Sequence, residues 1–256
     1  MPPNDLHRRK LFAGAALGTL LLGGCDRLAE DPGVQRVLAS VEGLTRRVQR
    51  LLGGARALAP EYSEADLSPV FKANGTLDPD DEDYQDMAAK HFVDWRLEVT
   101  GLVEQPLRLS LDDLRAMPSR TQITRHDCVE GWSCIGKWKG AVLGDVLRQA
   151  GPRADARYVV FRCADPMDNG NPDSKYYESI GMEEAFHPQT ILAYEMNDTP
   201  LPVAHGAPLR VRVERQLGYK MAKYLMRIEL VDSYADIGSG NGGYWEDQGY
   251  AWYAGI

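Results

Sequence analysis

The stretch richest in reactive side chains is Arg125-His-Asp-Cys-Val-Glu-Gly-Trp-Ser133. Thr121-Gln-Ile-Thr124 before it is β-prone, which places Cys128 where a strand runs into a loop containing Gly131. Positive charge from Arg125 and His126 would favour a thiolate at that point. A soft thiolate is in turn a natural protein ligand for a high-valent metal already bound by sulfur. A buried structural cysteine is the competing reading, and on composition alone the better one. Zinc is disfavoured, because neither a second Cys-x-x-Cys pair nor a His-x-x-x-His lies near Cys128. No Cys-x-x-Cys-His occurs for covalent haem, and no Gly-x-Gly-x-x-Gly directly follows a predicted strand. Any electrons used at this site must therefore come from or go to a separate partner.

The chain as a whole sets further bounds. Its 256 residues, 44% of them hydrophobic, suffice for a buried core in one domain or two small ones. A formal charge of −8 leaves no basic excess to neutralise phosphates, which argues against nucleic acid as a partner. Arg8-Arg9-Lys10 precede an apolar run from Leu11 to Leu22 that ends in Gly23-Gly24-Cys25. That run is too short to span a bilayer and suits a signal segment, so residues 1–25 are set apart from the fold. The arginine pair resembles a twin-arginine export signal, and Leu22-Gly23-Gly24-Cys25 resembles a lipobox whose cysteine is acylated. An ordinary cleaved signal is the plainer alternative. Beyond Cys25, Cys128, Cys134 and Cys163 remain, an odd number and too few for a disulfide scaffold.

The elements that must position these residues can be read in outline. Val34, Val37, Val41, Leu44, Val48 and Leu51 follow the spacing of an amphipathic helix, with an arginine-rich polar face. Such a helix would lie on anionic lipid, pair as a short coiled coil, or act as a spacer. Residues 26–68 are assigned to this helix and a linker, and residues 69–256 to the catalytic domain. The acidic patch from Asp78 to Asp86 reads as a solvated loop. Trp95–Val99 alternates as a half-buried strand, and Ser110 to Asp113 fits a capping box opening a helix stopped by Pro118. Val142, Leu143, Val146, Leu147 and Ala150 mark one helix face, ended by Gly151-Pro152. Segments 158–163, 209–213 and 225–230 read as strands, and the Gly- and aromatic-rich tail from Gly238 as a segment wrapped over the surface. The sum is a single α+β domain.

Cys128-Val-Glu-Gly-Trp-Ser133, with Trp138 and the helix after it, resembles the metal-binding segment of the sulfite-oxidase-fold molybdoenzymes. The likeness is greatest to the branch of periplasmic protein-methionine-sulfoxide reductase catalytic subunits. It continues in the family's order through Glu184-Ala-Phe-His-Pro188, His205-Gly-Ala-Pro-Leu-Arg210 and Gly218-Tyr-Lys-Met-Ala-Lys223, covering about residues 70–232. The resemblance implies a mixed-sheet molybdopterin-binding fold and a molybdenum–molybdopterin cofactor with one pterin, in which Cys128 is the only protein ligand of the metal.

It also implies that His205 and Arg210 contact the pterin and its phosphate, for which a guanidinium is suited. Met221, Ala222 and Lys223 match the segment that holds the pterin tail. Cys163 stands where the reductases have a cofactor-contacting threonine. Phe71 and Asn74 fall on a loosely matching N-terminal cofactor loop. The implied reaction is two-electron oxygen-atom transfer on a sulfoxide-like or N-oxide substrate, with Arg125, His126 or Tyr219 available to orient it. Electrons would come from a membrane haem or quinol-linked protein. Folded export fits a cofactor installed in the cytoplasm, and predicts a periplasmic enzyme lipid-anchored to the inner membrane. Sulfite oxidation ranks second, since those enzymes more often carry Cys-Ala-Gly-Asn or Cys-Ser-Gly-Asn at the ligand segment. A cofactor-free, lipid-anchored binding or scaffolding protein is the alternative of another class. A Cys128–Cys134 disulfide is expected to be absent, because it would consume the ligand.

Overall fold

The computed structural model describes residues 57–168 and 171–256, together with the helical positions Leu44 and Val48. The signal segment, the lipobox and nearly all of the amphipathic helix lie outside the described residues. The chain divides into Met1–Leu52 and Gly53–Ile256, and the second unit carries the fold that follows. No helix among the described residues is long and apolar enough to cross a membrane.

Two five-stranded sheets form the body. The first runs β2 (Leu107–Leu109), β1 (Leu97–Gly101), β10 (Leu225–Val231), β5 (Tyr158–Asp168), β6 (Asn171–Gly181). Its β1–β10 pair is parallel and the others antiparallel, so the sheet is mixed. The second runs β3 (Ser119–Asp127), β4 (Ser133–Val142), β7 (Ile191–Met196), β8 (Thr199–Pro200), with β9 (Arg210–Arg212) also paired to β7. Val99, Phe161 and Ile228 of the first sheet share one apolar cluster with Leu192 and Val211 of the second. Burying each such side chain contributes about 1.5–3 kcal/mol.

The helices are short and capped as their sequences dictate. In α2 (Leu111–Ala116), Ser110 accepts from the Asp113 N–H while the Asp113 carboxylate accepts from the Ser110 N–H. Helix α3 (Leu143–Ala150) buries Leu143, Val146, Leu147 and Ala150, and ends where Gly151 takes φ 68°. Two expectations differ from what forms. The acidic patch holds helix α1 (Glu82–Ala89): Asp81 caps it by accepting from the Tyr84 N–H, and Tyr84 is buried. The packed body also begins before residue 69. The Ala59 N–H donates to Gln189 Oε1 at 2.7 Å, and Glu61 bridges to Thr124. Such a strap is held by isolated polar contacts and leaves no hydrophobic period to read.

Candidate active site

Strands β3 and β4 form a hairpin in which Asp127 pairs with Ser133, leaving 128–132 as its loop. Gly131 takes φ 84° there, and its N–H donates to the Cys128 carbonyl at 3.0 Å. The Cys128 N–H in turn donates to the Trp132 carbonyl at 3.0 Å. Side chains alternate along β3, with Gln122, Thr124 and His126 buried and Arg125 exposed. Cys128 continues the inward parity and is 7% exposed.

That parity corrects the expected source of thiolate stabilisation. Arg125 points outward and pairs with Asp127 at 2.9 Å. His126 is held neutral, its pKa driven well down by burial and then by Arg212 and Arg210. Its Nδ1 accepts from Arg212 at 3.0 Å and lies 3.3 Å from the Met221 sulfur. Burial raises the Cys128 thiol, with the Glu130 backbone N–H opposing it. The free protein therefore presents a thiol whose proton leaves when a metal binds.

Cys128 lines a cleft shared with Asn74, Asp165, Arg210, Met221 and Lys223. Asn74 Nδ2 lies 3.4 Å from the Cys128 sulfur. Lys223 reaches from the segment before β10 to donate to the carbonyls of Asn74 (2.8 Å), Thr76 and Ala204 (3.3 Å). No carboxylate is among these acceptors, and burial followed by Arg210 lowers its pKa to about 7. Arg210, on β9, is likewise buried and donates only to the carbonyls of His205 (3.0 Å) and Met221 (3.3 Å). Its Nε has no partner, and burial followed by Arg212 lowers its pKa to about 9. Neither cation hydrogen-bonds a carboxylate among the described residues; Asp165 supports the charge on Lys223, and Glu214 that on Arg210, only at longer range. An anion entering the cleft would add to that compensation.

Phe71, Cys163, His205 and Ala222, the other expected site residues, are not in the lining of this cleft. Phe71 packs edge-on to Trp138 and His205, with ring centroids at 5.3 and 5.6 Å, against the small apolar cluster around Trp138. Burial, with Arg210 and Lys223, keeps His205 neutral with a pKa of about 4. Ala222 is buried, and its carbonyl accepts the Val211 N–H at 2.8 Å, which ties the Met221–Lys223 segment to β9. Cys163 lines a neighbouring cavity, with Tyr176 common to both. Burial, and then Asp165, pushes its thiol well up. Cys128, Cys134 and Cys163 are all free. Of the residues considered for orienting substrate, Tyr219 lines the cleft, while Arg125 and His126 do not.

Several cleft residues carried no sequence signal. Asp165 is buried, its Oδ1 has no partner, and burial raises its carboxyl to about 6. Met167, Tyr176, Trp245 and Tyr250 complete the wall. A strongly perturbed carboxyl in a cleft is a recognisable mark of a site, but burial is invisible without the fold.

A lone inward thiol in one cleft with two buried cations that meet no carboxylate directly suits an anionic organic group that brings its own metal ligands. Among the described residues no cluster of three or more His, Cys, Asp or Glu offers a complete protein-only site. The class so defined is a domain whose cleft is built for an anionic cofactor rather than for a protein-only metal site. The oxidoreductase molybdopterin binding domain matches residues 84–237, and the chain belongs to this family of molybdopterin-dependent oxidoreductases. It is 40% identical over 254 residues, 98% of this chain and 89% of the relative, to the "Putative protein-methionine-sulfoxide reductase subunit YedZ1" of Azospira oryzae. It is 38% identical over 145 residues to the protein-methionine-sulfoxide reductase catalytic subunit MsrP of Ralstonia nicotianae, a match spanning 54% of this chain and 44% of that one. Among solved structures, the sulfane dehydrogenase SoxCD of Paracoccus pantotrophus aligns at 25% identity and a TM-score of 0.49, over 55% of this chain and 39% of that one.

Proposed function

We propose that the protein binds a molybdenum–pterin through Cys128, Arg210 and Lys223 and reduces a sulfoxide, with methionine sulfoxide the substrate class named by its relatives. The observation that carries this reading is one cleft lined by the Cys128 thiol together with Arg210 and Lys223, two buried cations whose hydrogen bonds go to carbonyls. Bound there, the cofactor supplies oxygen-atom transfer, in which a sulfoxide, two electrons and two protons become a thioether and water. Cys128 would give up its thiol proton and hold the metal through its sulfur. Arg210 and Lys223 would hold the phosphate, and Asp165, with an unpartnered Oδ1, would line the same cleft. Asn74 orients the sulfur through its amide.

Export and anchoring belong to the same proposal. Twin-arginine export and acylation of Cys25 would place the enzyme in the periplasm at the inner membrane. Tethering there would raise its effective concentration beside a membrane haem or quinol-linked electron donor.

The test is metal and pterin analysis of wild type, Cys128→Ser and Arg210→Met from a pterin-competent host. Assays of methionine sulfoxide reduction and sulfite oxidation accompany it. Near-stoichiometric molybdenum in wild type and its loss in Cys128→Ser are expected, with turnover of the sulfoxide. Metal-free wild type with an intact fold would instead mark a binding protein, and preferential sulfite turnover a dehydrogenase.

A further inference from the structure

The matched family region ends at residue 237, yet Trp245 and Tyr250 beyond it line the same cleft as Cys128. Their rings stack with centroids 5.4 Å apart and planes 27° apart, and Tyr250 meets Tyr219 edge-on at 5.3 Å. Tyr250 is 40% exposed, so the group is reachable from solvent.

The tail that carries these rings is fastened at several points. The Leu217 N–H donates to the Ala254 carbonyl at 2.9 Å, and the Ile256 N–H to the Arg215 carbonyl at 3.0 Å. The Tyr219 hydroxyl donates to the Ala251 carbonyl at 2.6 Å. Lys220, fully buried, donates to Glu178 of β6 and to Glu246 of the tail, each at 2.5 Å. Glu246 lies directly after Trp245, so this buried ion cluster locks the indole in place.

The charges of the cleft are divided. Arg210 and Lys223 are deep, where the cofactor's phosphate would occupy them. Glu130 lines the cleft as an exposed carboxylate, paired with Lys72 at 3.4 Å and with the Trp132 indole N–H at 2.8 Å. With Glu130 balanced by Lys72, the aromatic wall decides: its electron-rich ring faces suit a neutral, polarisable sulfur group over an anion such as sulfite.

We propose that Tyr219, Trp245 and Tyr250 form a shelf that binds the alkyl-sulfur part of a neutral sulfoxide side chain and sets the preference for it over anionic oxo-sulfur compounds. This rests on the sulfoxide-reductase reading above and assigns its specificity to the tail.

The test is a titration of the metal-loaded protein, following tryptophan fluorescence, with N-acetyl-methionine sulfoxide amide and, separately, with sulfite. Wild type should bind the sulfoxide saturably and in preference to sulfite. Trp245→Ala and Tyr250→Ala should each weaken that binding, by up to roughly tenfold, with molybdenum content and the Mo(V) EPR signal retained. Trp245→Phe should restore most of it, and guards against simple misfolding of the alanine variants. Unchanged affinity in both alanine variants, or stronger binding of sulfite by wild type, overturns the shelf. If the sulfoxide binds with this dependence but is not turned over, the shelf stands and the reaction assignment falls. If it is turned over with the same KM in all variants, the assignment stands and the shelf falls.

Discussion

Arg210 and Arg212 lie two residues apart on β9 and both sit against the Trp138 ring, at 5.0 and 4.4 Å from its centroid, yet only Arg212 has a carboxylate. Arg212 grips Glu214 through two hydrogen bonds of 2.8 and 2.6 Å, both side chains fully buried. Among the described residues, Arg210 gives its hydrogen bonds to carbonyl oxygens. One strand thus carries a cation held by a carboxylate and another that faces the cleft without one.

The two arginines should therefore respond oppositely to the same substitution. Arg212→Met leaves Glu214 buried with only the Gln122 amide, 2.8 Å away, and should cost about 3–5 kcal/mol of stability. Arg210→Met removes a charge whose burial costs more than its long-range attraction to Glu214 returns, so denaturation of the cofactor-free protein should show stability unchanged or raised. In the same variant, pterin and molybdenum retention should fall at least about tenfold, since a charge-assisted contact to phosphate is lost. Equal destabilisation by both substitutions would contradict the division of roles.

Lys223 predicts a pH dependence. Its ammonium loses a proton at about 7 in the fold rather than at 10.5. Between those values the unfolded chain holds more protons than the native state, so stability rises with pH. Below about 7 both states are protonated and this contribution is flat. Arg210, lowered to about 9, acts in the same direction above that value. Asp165, raised from 3.8 to about 6, acts oppositely but below the window. Urea denaturation of cofactor-free protein across the range should show the rise, and Lys223→Met should flatten its lower part. Inorganic phosphate, which favours the ammonium, should stabilise wild type more near pH 7 than near pH 9.

Gly218 lies against the imidazole behind the thiol. A Cβ there would meet His126 Cε1 and Nε2 at 2.5 Å and the Asp127 carbonyl at 3.3 Å. His126 cannot swing aside, because Arg212, Met221 and the rings of Phe71 and Trp132 surround it. Gly218→Ala should cost about 1–3 kcal/mol as overpacking. It should also displace the Cys128 hairpin, visible as an altered Mo(V) spectrum in the loaded enzyme. Wild-type stability and spectrum together would show that the contact is not tight.

Local order explains what was readable from the chain. The Ser110–Asp113 capping box and the Gly151 stop follow from nearest-neighbour chemistry, and both appear where the residues place them. Helix α1 was hidden because its acidic composition obscured Asp81 as a cap and Tyr84 as its anchor. Cys163 is on the strand expected, but its side chain opens on the neighbouring cavity, which strand assignment alone does not decide.

By itself the sequence determined the family and singled out Cys128, Asn74, Arg210, Met221 and Lys223 of the cleft, because each lies in a short motif whose spacing survives without a fold. Only the tertiary structure decided which charges are compensated. Arg210 and Arg212 are the same residue type on the same strand, and their difference lies in where Glu214 points. It also decided that Trp245 and Tyr250, more than 100 residues after Cys128 in the chain, share its cleft. Desolvation and proximity are properties of the packed chain, and no local window of residues encodes them.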